Sequence, residues 1–266
     1  MFKIKGKFMN TSIEYIANFK TTIDPYNGLT ILSEDLPENI LDFEKNLNNL
    51  IDETKSRRNL IWIYINIEKS DYIPIITKFG FTFHSCNSDY ILLVKVLKEN
   101  AIVPTLANHT LGVGAIVINN KNEILLIKEI IRNEYYKLPG GHIDDAEMIS
   151  IALSREVFEE TGIVVDFEKI ISIGHFYPHQ FGKSNLYVLC KAIPKSLKIN
   201  IKDKQEISEA IWLDVDEMFR RSDIHDYTKT IVKSAISSGG LYKNEENILS
   251  HLKNQFELFF LKESKN

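Results

Sequence analysis

The segment Arg155-Glu-Val-Phe-Glu-Glu-Thr-Gly162 places three carboxylates in the last turn and a half of a helix that the pattern predicts over residues 146–161, with Asp144 or Asp145 as its N-cap and Gly162 ending it. The negative end of the helix dipole disfavours acids there. Glu156 also faces Glu159 at i+3 and Glu160 at i+4, and each such like-charge pair costs about 0.2–0.5 kcal/mol. Arg155 is the nearby offset. At about 100° per residue, with Glu156 at zero, Glu160 falls at about 40° and Glu159 at about −60°, while Ile149, Ala152 and Leu153 fall at about 20°, −40° and 60°. The apolar face of the first half therefore continues into the acidic face of the second. A solvated charge stripe would lie on the opposite side. The chain must fold so that this helix lies against a sheet, with its acids turned to the sheet or to a cleft beside it. Clustered acids raise one another's pKa unless a cation joins them. Oxygen ligands of this kind suit Mg²⁺ or Mn²⁺.

Just upstream, Leu138-Pro-Gly-Gly141 supplies two glycines, where backbone can bend sharply or approach a ligand. Taken singly, the glycines make an ordinary turn and the paired acids a surface helix end. The spacing is more demanding: Gly141, five residues, Glu147, seven residues, Arg155-Glu156-Val157, one residue, Glu159-Glu160, one residue, Gly162-Ile163. Seven fixed positions and two apolar ones across 23 residues reproduce the Nudix box, G-x5-E-x7-R-E-U-x-E-E-x-G-U, without a departure. The chain resembles a Nudix hydrolase. The resemblance implies that Glu156, Glu159 and Glu160 bind divalent metal with the Gly140 carbonyl. It implies too that Arg155 orients the glutamates by ion pairing and that Glu147 supports the loop-helix-loop. Glu206, six residues before Trp212, matches a further site glutamate of this superfamily.

The likeness reaches beyond the box, over about residues 25 to 218. "GFTFHSCNSDYILLV", "GVGAIVINNKNEILLIKE", "KLPGGHID" and "FGKSNLYVLCKAIP" are similar to the fibroblast growth factor antisense-type subfamily, which includes plant ADP-ribose and NADH pyrophosphatases. Asn185 departs from an Asp common in that subfamily. The expected fold class is α/β: a Nudix α/β/α sandwich with a mixed sheet and loop-helix-loop, preceded by a smaller, acetyltransferase-like α/β pre-Nudix domain. The first domain shows no Gly-rich phosphate loop that would make it an acetyltransferase.

The pattern along the chain agrees with two domains. Residues 98–110, "KENAIVPTLANHT", form the clearest seam, and the boundary is placed near residue 105, giving domains of 1–105 and 106–266. Before it, residues 36–56 carry helical spacing, 59–67 form a buried strand, 70–80 a short helix capped by Ser70, and "FTFHSC" and "YILLVKVL" an antiparallel pair. After it come a hairpin around Asn119–Asn122, the box, two strands, a strand running into a helix at "EAIWLDVDEM", and an amphipathic helix over 245–264.

With 266 residues and a net charge of −4, the chain has the bulk of two domains and no basic surplus for holding a nucleic-acid backbone. Cys86 and Cys190 sit in apolar runs and read as buried thiols in a reducing compartment. The run at 60–67 is too short to span a bilayer and no signal-peptide core is visible, so the reading is a soluble cytoplasmic protein without membrane partners. The resemblance implies a small-molecule nucleotide substrate, best placed as ADP-ribose or NADH, a homodimer, and no nucleic-acid partner beyond a capped RNA end. The competing reading is a nucleotide-sensing module with little turnover. Among other residues, His175 and His179 are spaced i, i+4 but flank Pro178, which removes helical zinc geometry. They read as loop or pocket residues, with His175 a candidate substrate contact. Tyr136, or its neighbour Tyr135, is a candidate platform for a base.

Overall fold

The structure, a computed structural model, describes residues 12–131, 134–237, 239–246, 252 and 255–261. The chain separates into two compact units, Met1–Leu106 and Ala107–Asn266, which meet inside the seam of residues 98–110. Each is built around a core of its own.

The first unit runs β1 (Ile13–Ile16), β2 (Phe19–Ile23), β3 (Gly28–Ile31), α1 (Ile40–Thr54), β4 (Leu60–Asn66), α2 (Ile73–Lys78), β5 (Thr82–Cys86) and β6 (Tyr90–Val96). The strands make a six-stranded sheet in the order β1-β2-β3-β4-β6-β5, parallel only between β3 and β4. Helix α1 lays Phe43, Leu47 and Leu50 against Phe19, Leu29, Ile61 and Ile63 of the sheet. It is shorter than the apolar pattern because Asn39 starts it, accepting from the Leu41 and Asp42 amides at 2.9 and 3.3 Å. Ser70 does not cap the next helix. It lies in a 3-10 turn over Ile67–Tyr72, and α2 begins beyond it with Pro74 in its first turn, where no amide is needed. Cys86 is exposed at the end of edge strand β5, against expectation, while Cys190 is buried.

The second unit runs β7 (His109–Val117), β8 (Glu123–Glu129), β9 (Gly140–His142), α3 (Ile149–Thr161), β10 (Val165–Phe176), β11 (Ser184–Pro194), β12 (Ile207–Asp214), α4 (Val215–Arg220), α5 (Asp226–Ser237), β13 (Leu241–Lys243) and β14 (Phe259–Leu261). Its main sheet is mixed, in the order β14-β13-β10-β11-β7-β9, with β11 antiparallel to β10 and parallel to β7. Strands β8 and β12 form a separate antiparallel pair. Because side chains alternate along a strand, both faces of β7 are apolar and both are covered. Val113, Ala115 and Val117 meet Ala152, Leu153 and Val157 of α3. On the other face Ile116 and Leu189 meet Met218 of α4 and Val232 and Ala235 of α5. The result is the α/β/α arrangement.

Three details differ from the sequence reading. The glycine loop contains a strand, since Gly140–His142 pairs antiparallel with Gly112–Gly114. Helix α5 and strand β13 are additional elements; α5 buries Thr228, Ile231, Val232 and Ala235 at helical spacing, a signal the sequence reading passed over. The helix expected over 245–264 does not form at its end: Gln255–Leu258 is non-helical and Phe259–Leu261 is a strand on β13, with Phe259 packed on Phe167. Residues 247–251, 253–254 and 262–264 of that expectation lie outside the described residues.

Candidate active site

Helix α3 begins at Ile149, three residues later than the pattern suggests, and neither Asp144 nor Asp145 caps it. Its N-cap residue is Met148, which has no side-chain oxygen to offer. Upstream, the chain turns on itself: the Glu147 amide donates to the Asp144 carbonyl at 3.0 Å, and the Asp144 amide donates to the Glu147 carboxylate at 3.1 Å. The helix ends as expected. Gly162 adopts φ +73°, its amide donates to the Phe158 carbonyl at 2.7 Å, and a Cβ there would lie 2.3 Å from the Asn200 carbonyl oxygen. Only glycine closes this turn without strain.

The three acids are graded in depth. Glu160 is buried, at 3% exposure, among Val157, Thr161 and the sheet. The Glu156 side chain is 14% exposed, whereas that of Glu159 is 48% exposed at the rim. Burial pushes the Glu160 carboxyl up to about 8, against the pull of Lys137 and of the Gly140 amide, and nearby Glu156 and Glu206 push it further. Burial also raises Glu156, which Arg155 partly offsets and Glu159 and Glu206 reinforce.

Arg155 ties the motif together. Its Nε and Nη2 donate to the two Glu147 oxygens, both at 2.8 Å, in a bidentate fork. Nη1 donates to Glu156 at 2.9 Å and to Glu159 at 3.1 Å, and Nη2 also reaches the His142 carbonyl at 2.9 Å. The fork holds the Glu147 carboxyl below the ordinary carboxylate range. The glycines explain themselves by contact. The Gly140 amide donates to Glu160 Oε2 at 2.7 Å, at φ +143°, where a Cβ would lie 2.1 Å from the Val113 carbonyl oxygen. A Cβ on Gly141 would lie 2.7 Å from both Glu156 oxygens. The box glycines thus let strand β9 lie directly on the carboxylates of α3.

Glu206 arrives by another route. The amides of Lys202 and Asp203 donate to the Glu159 carbonyl at 3.0 and 2.9 Å, and that of Asn200 donates to the Thr161 carbonyl at 2.8 Å. Asp203 then accepts from the Gln205 and Glu206 amides at 3.0 and 3.1 Å. The Ile130 amide fixes the Glu206 carbonyl at 2.7 Å. Glu206 is close enough to raise both Glu156 and Glu160. The acids share one site but do not converge on a point: among the described residues no three His, Cys, Asp or Glu side chains stand at ligating spacing. Arg155 and the Gly140 amide hold Glu156 and Glu160 on separate partners.

A profile for the NUDIX domain matches residues 108–233, and one for a Nudix hydrolase domain matches residues 19–97. The chain is 35% identical over 172 residues to Nucleoside diphosphate-linked moiety X motif 6 of Xenopus laevis, covering 62% of this chain and 78% of that protein. The chain belongs to the Nudix hydrolase family. It is also 33% identical over 201 residues to Nudix hydrolase 8 of Arabidopsis thaliana, covering 73% of this chain and 54% of that protein. The human Nucleoside diphosphate-linked moiety X motif 6 is 32% identical over 199 residues, covering 72% of this chain and 62% of that protein. The chain thus spans between about half and two thirds of the length of these last two relatives.

Around the Nudix box, other candidates fare differently. Tyr136 cannot be a platform for a base, because its ring is buried beneath Lys128 Nζ at 4.2 Å and the Arg221 guanidinium at 5.0 Å. Tyr135 is half exposed but is stacked on His225, with ring centroids 3.9 Å apart. His175 pairs with His109, their Nε2 atoms 3.0 Å apart. Two contributors lie outside the sequence expectations. Tyr187 lies across Gly112 and Gly114, whose Cβ positions its ring would meet at 2.6 and 2.8 Å, and its hydroxyl stands 3.0 Å from the same position at Gly140. Burial and the neighbouring Glu160 raise its pKa. Glu257, from the C-terminal segment, serves the start of α3. It accepts from the Ser150 amide at 3.2 Å and from the Ser150 hydroxyl, and pairs with Lys243 at 2.9 Å. Burial alone would raise its carboxyl, but these donors hold it below the ordinary value. The alternating glycines of β7 hinted at Tyr187; nothing in the sequence pointed to Glu257.

No described helix is long and apolar enough to cross a membrane.

Proposed function

We propose that residues 106–266 form a divalent-metal-dependent pyrophosphohydrolase for a nucleoside diphosphate linked to another moiety, with ADP-ribose or NADH as the leading substrates. The observation that carries this is the buried Glu160 carboxylate beside Glu156 and Glu206, held by a single backbone amide and pushed up to about 8. Such a donor set fits a hard cation: its oxygens are carboxylates and a glycine-rich backbone, and among the described residues the cations set against them are Arg155 and Lys137. The groups that would hold Mg²⁺ or Mn²⁺ are Glu156, Glu159, Glu160, Glu206 and the Gly140 carbonyl. A bound ion there neutralises phosphate charge and makes water more acidic.

The chain's own groups do the positioning. Arg155 ties Glu156 and Glu159 to Glu147 and to the His142 carbonyl at the end of β9. The Gly140 amide holds Glu160 against the sheet. Glu156 serves either as the base towards water or as a bridging ligand. The names of the relatives support the nucleoside diphosphate-linked class, and the subfamily likeness supports ADP-ribose or NADH. We extend the reading to a homodimer, checked by light scattering of the full chain.

The test is turnover of ADP-ribose, NADH, NAD⁺, CoA, diadenosine polyphosphates, dNTPs and capped RNA with Mg²⁺ and with Mn²⁺. Turnover of at least one, reduced by orders of magnitude in Glu159→Gln and Glu160→Gln, is the expected result. No turnover on any substrate, with nucleotide binding retained, would favour a sensing module. Unchanged turnover in both variants would defeat the site assignment.

A further inference from the structure

His109 is the first residue of β7 and His175 the second-last of β10, and 66 positions separate them in sequence. The sheet brings them together through β11. Ser184 of β11 is in register with His109, and Leu186 with His175. Those two β11 positions are two residues apart, so both imidazoles stand on one face of the sheet. Their Nε2 atoms are 3.0 Å apart and their ring centroids 5.0 Å apart with planes tilted by 34°, so ring corners meet and the faces do not stack. Both side chains are exposed.

The pair is aimed from behind. Asn108 Oδ1 lies 2.6 Å from His109 Nδ1, and the Asn108 carbonyl accepts from the Ser184 amide at 3.0 Å. An acceptor at Nδ1 favours the tautomer that donates there and turns the Nε2 lone pair towards His175, the form in which imidazole binds a metal. This is the supporting contact that metal-bound histidines ordinarily make through their second nitrogen. With metal–nitrogen bonds of about 2.0–2.1 Å, two ligating nitrogens stand about 2.9 Å apart at a right angle and about 3.3 Å apart at a tetrahedral one. The observed 3.0 Å lies inside that window. A hydrogen bond between two exposed neutral imidazoles would compete with water and contribute little.

We propose that His109 and His175 form a two-histidine site for a borderline-soft divalent cation, Zn²⁺ first, with its remaining positions open to water or to an anionic oxygen. The donors set this site apart from the carboxylates: imidazole suits Zn²⁺, Ni²⁺ and Cu²⁺, whereas Mg²⁺ prefers oxygen. Two ligands on paired strands also hold their spacing better than His175 with His179, which lies beyond the end of β10 and past Pro178.

The experiment is calorimetric titration of the full chain with Zn²⁺ in the presence of millimolar Mg²⁺. It compares wild type with His109→Ala, His175→Ala, Asn108→Ala and the Glu156→Gln, Glu160→Gln double variant. One zinc per chain is expected, lost in either histidine variant, weakened by about tenfold in Asn108→Ala, and retained in the glutamate double variant. Zinc that persists in both histidine variants, or disappears only with the glutamates, would overturn the proposal. If a histidine variant misfolds, imidazole proton signals of the wild type decide the matter. Zinc must shift those of His109 and His175, and unmoved signals defeat the site. Because the readout is binding, it stands apart from turnover.

Discussion

Replacing Glu160 with Gln separates what the site does to folding from what it does to substrate. Glu160 is 3% exposed and its carboxyl sits at about 8, compared with 4.5 for the free side chain. The folded chain therefore holds this proton more tightly than the unfolded chain does. The sign follows: without metal, stability is greatest below the ordinary carboxylate value and falls as pH rises towards about 8. At about 1.4 kcal/mol per tenfold change, the loss is about 3 kcal/mol by pH 7 and about 4 kcal/mol by pH 8. Gln keeps the shape and an oxygen for the Gly140 amide but carries no charge. In EDTA, urea unfolding should show Glu160→Gln more stable than wild type by several kcal/mol at pH 8 and by less than about 1 kcal/mol at pH 5. Adding Mg²⁺ or Mn²⁺ should raise the wild-type melting temperature, while a Glu159→Gln, Glu160→Gln double variant should show no rise. Turnover in Glu160→Gln should fall by orders of magnitude despite the added stability. A variant less stable than wild type at pH 8 in EDTA, or an equal difference at both pH values, would refute the idea that an uncompensated buried acid is the site's cost.

Three further outcomes are expected. Arg155→Lys keeps the charge but loses the fork on Glu147 and the shared contact to Glu156. The fork's two charge-assisted bonds and the one to Glu156 are worth about 1.5 kcal/mol or more each, and their loss should lower kcat on the confirmed substrate by at least tenfold, read in steady-state kinetics. Gly141→Ala would push a methyl to 2.7 Å from both Glu156 oxygens, so turnover should fall, and the metal concentration for half-maximal rate should rise in a metal titration. Glu257→Ala removes the partner of the Ser150 amide and the carboxylate facing Lys243, which keeps its contact to the Ser150 hydroxyl. It should destabilise the chain by about 2 kcal/mol, seen as a lower urea midpoint, with box chemistry preserved in the folded fraction.

The site was legible where covalent spacing and backbone conformation dictate it. Gly141, Glu147, Arg155 and the acids lie within 23 residues, so helical angles nearly suffice to place them. Glu160 went inward as the angles required, but Glu159 stayed at the rim because the buried stripe through Ala152, Leu153, Val157 and Thr161 is centred on the far side of Glu156. Strands with apolar alternation were likewise readable. The start of α3 was not, because no local residue makes it: the donors at Ser150 find Glu257, 107 positions away. The burial of Tyr136 is hidden from the sequence for the same reason, since Lys128 and Arg221, which cover its ring, come from β8 and from the segment after α4. The tail failed differently. Phe256, Phe259 and Phe260 fit helical spacing, yet Phe259–Leu261 pairs with β13 and becomes the edge strand of the sheet, and tertiary pairing overrides local pattern over so short a span.

The helix end that looked ill-suited to acids is made tolerable by backbone amides before any cation is considered. The penalty at a helix C-terminus comes from unpaired carbonyls. Here the Glu159 carbonyl accepts from Lys202 and Asp203, the Thr161 carbonyl from Asn200, and the Phe158 carbonyl from Gly162. Four amides thus lie against the negative end of the dipole, and the Lys202 ammonium sits 5.6 Å from the centroid of the Phe158 ring on the same turn. The raised values of Glu156 and Glu160 accordingly trace to burial first and then to neighbouring carboxylates, Glu159 and Glu206 for the former and Glu156 and Glu206 for the latter. The same loop that quenches the helix end carries the chain through Asp203 to Glu206. One stretch of backbone therefore both permits the acids on α3 and adds the next one, which ties the position of Glu206 to the length of the 200–206 loop as much as to its spacing from Trp212.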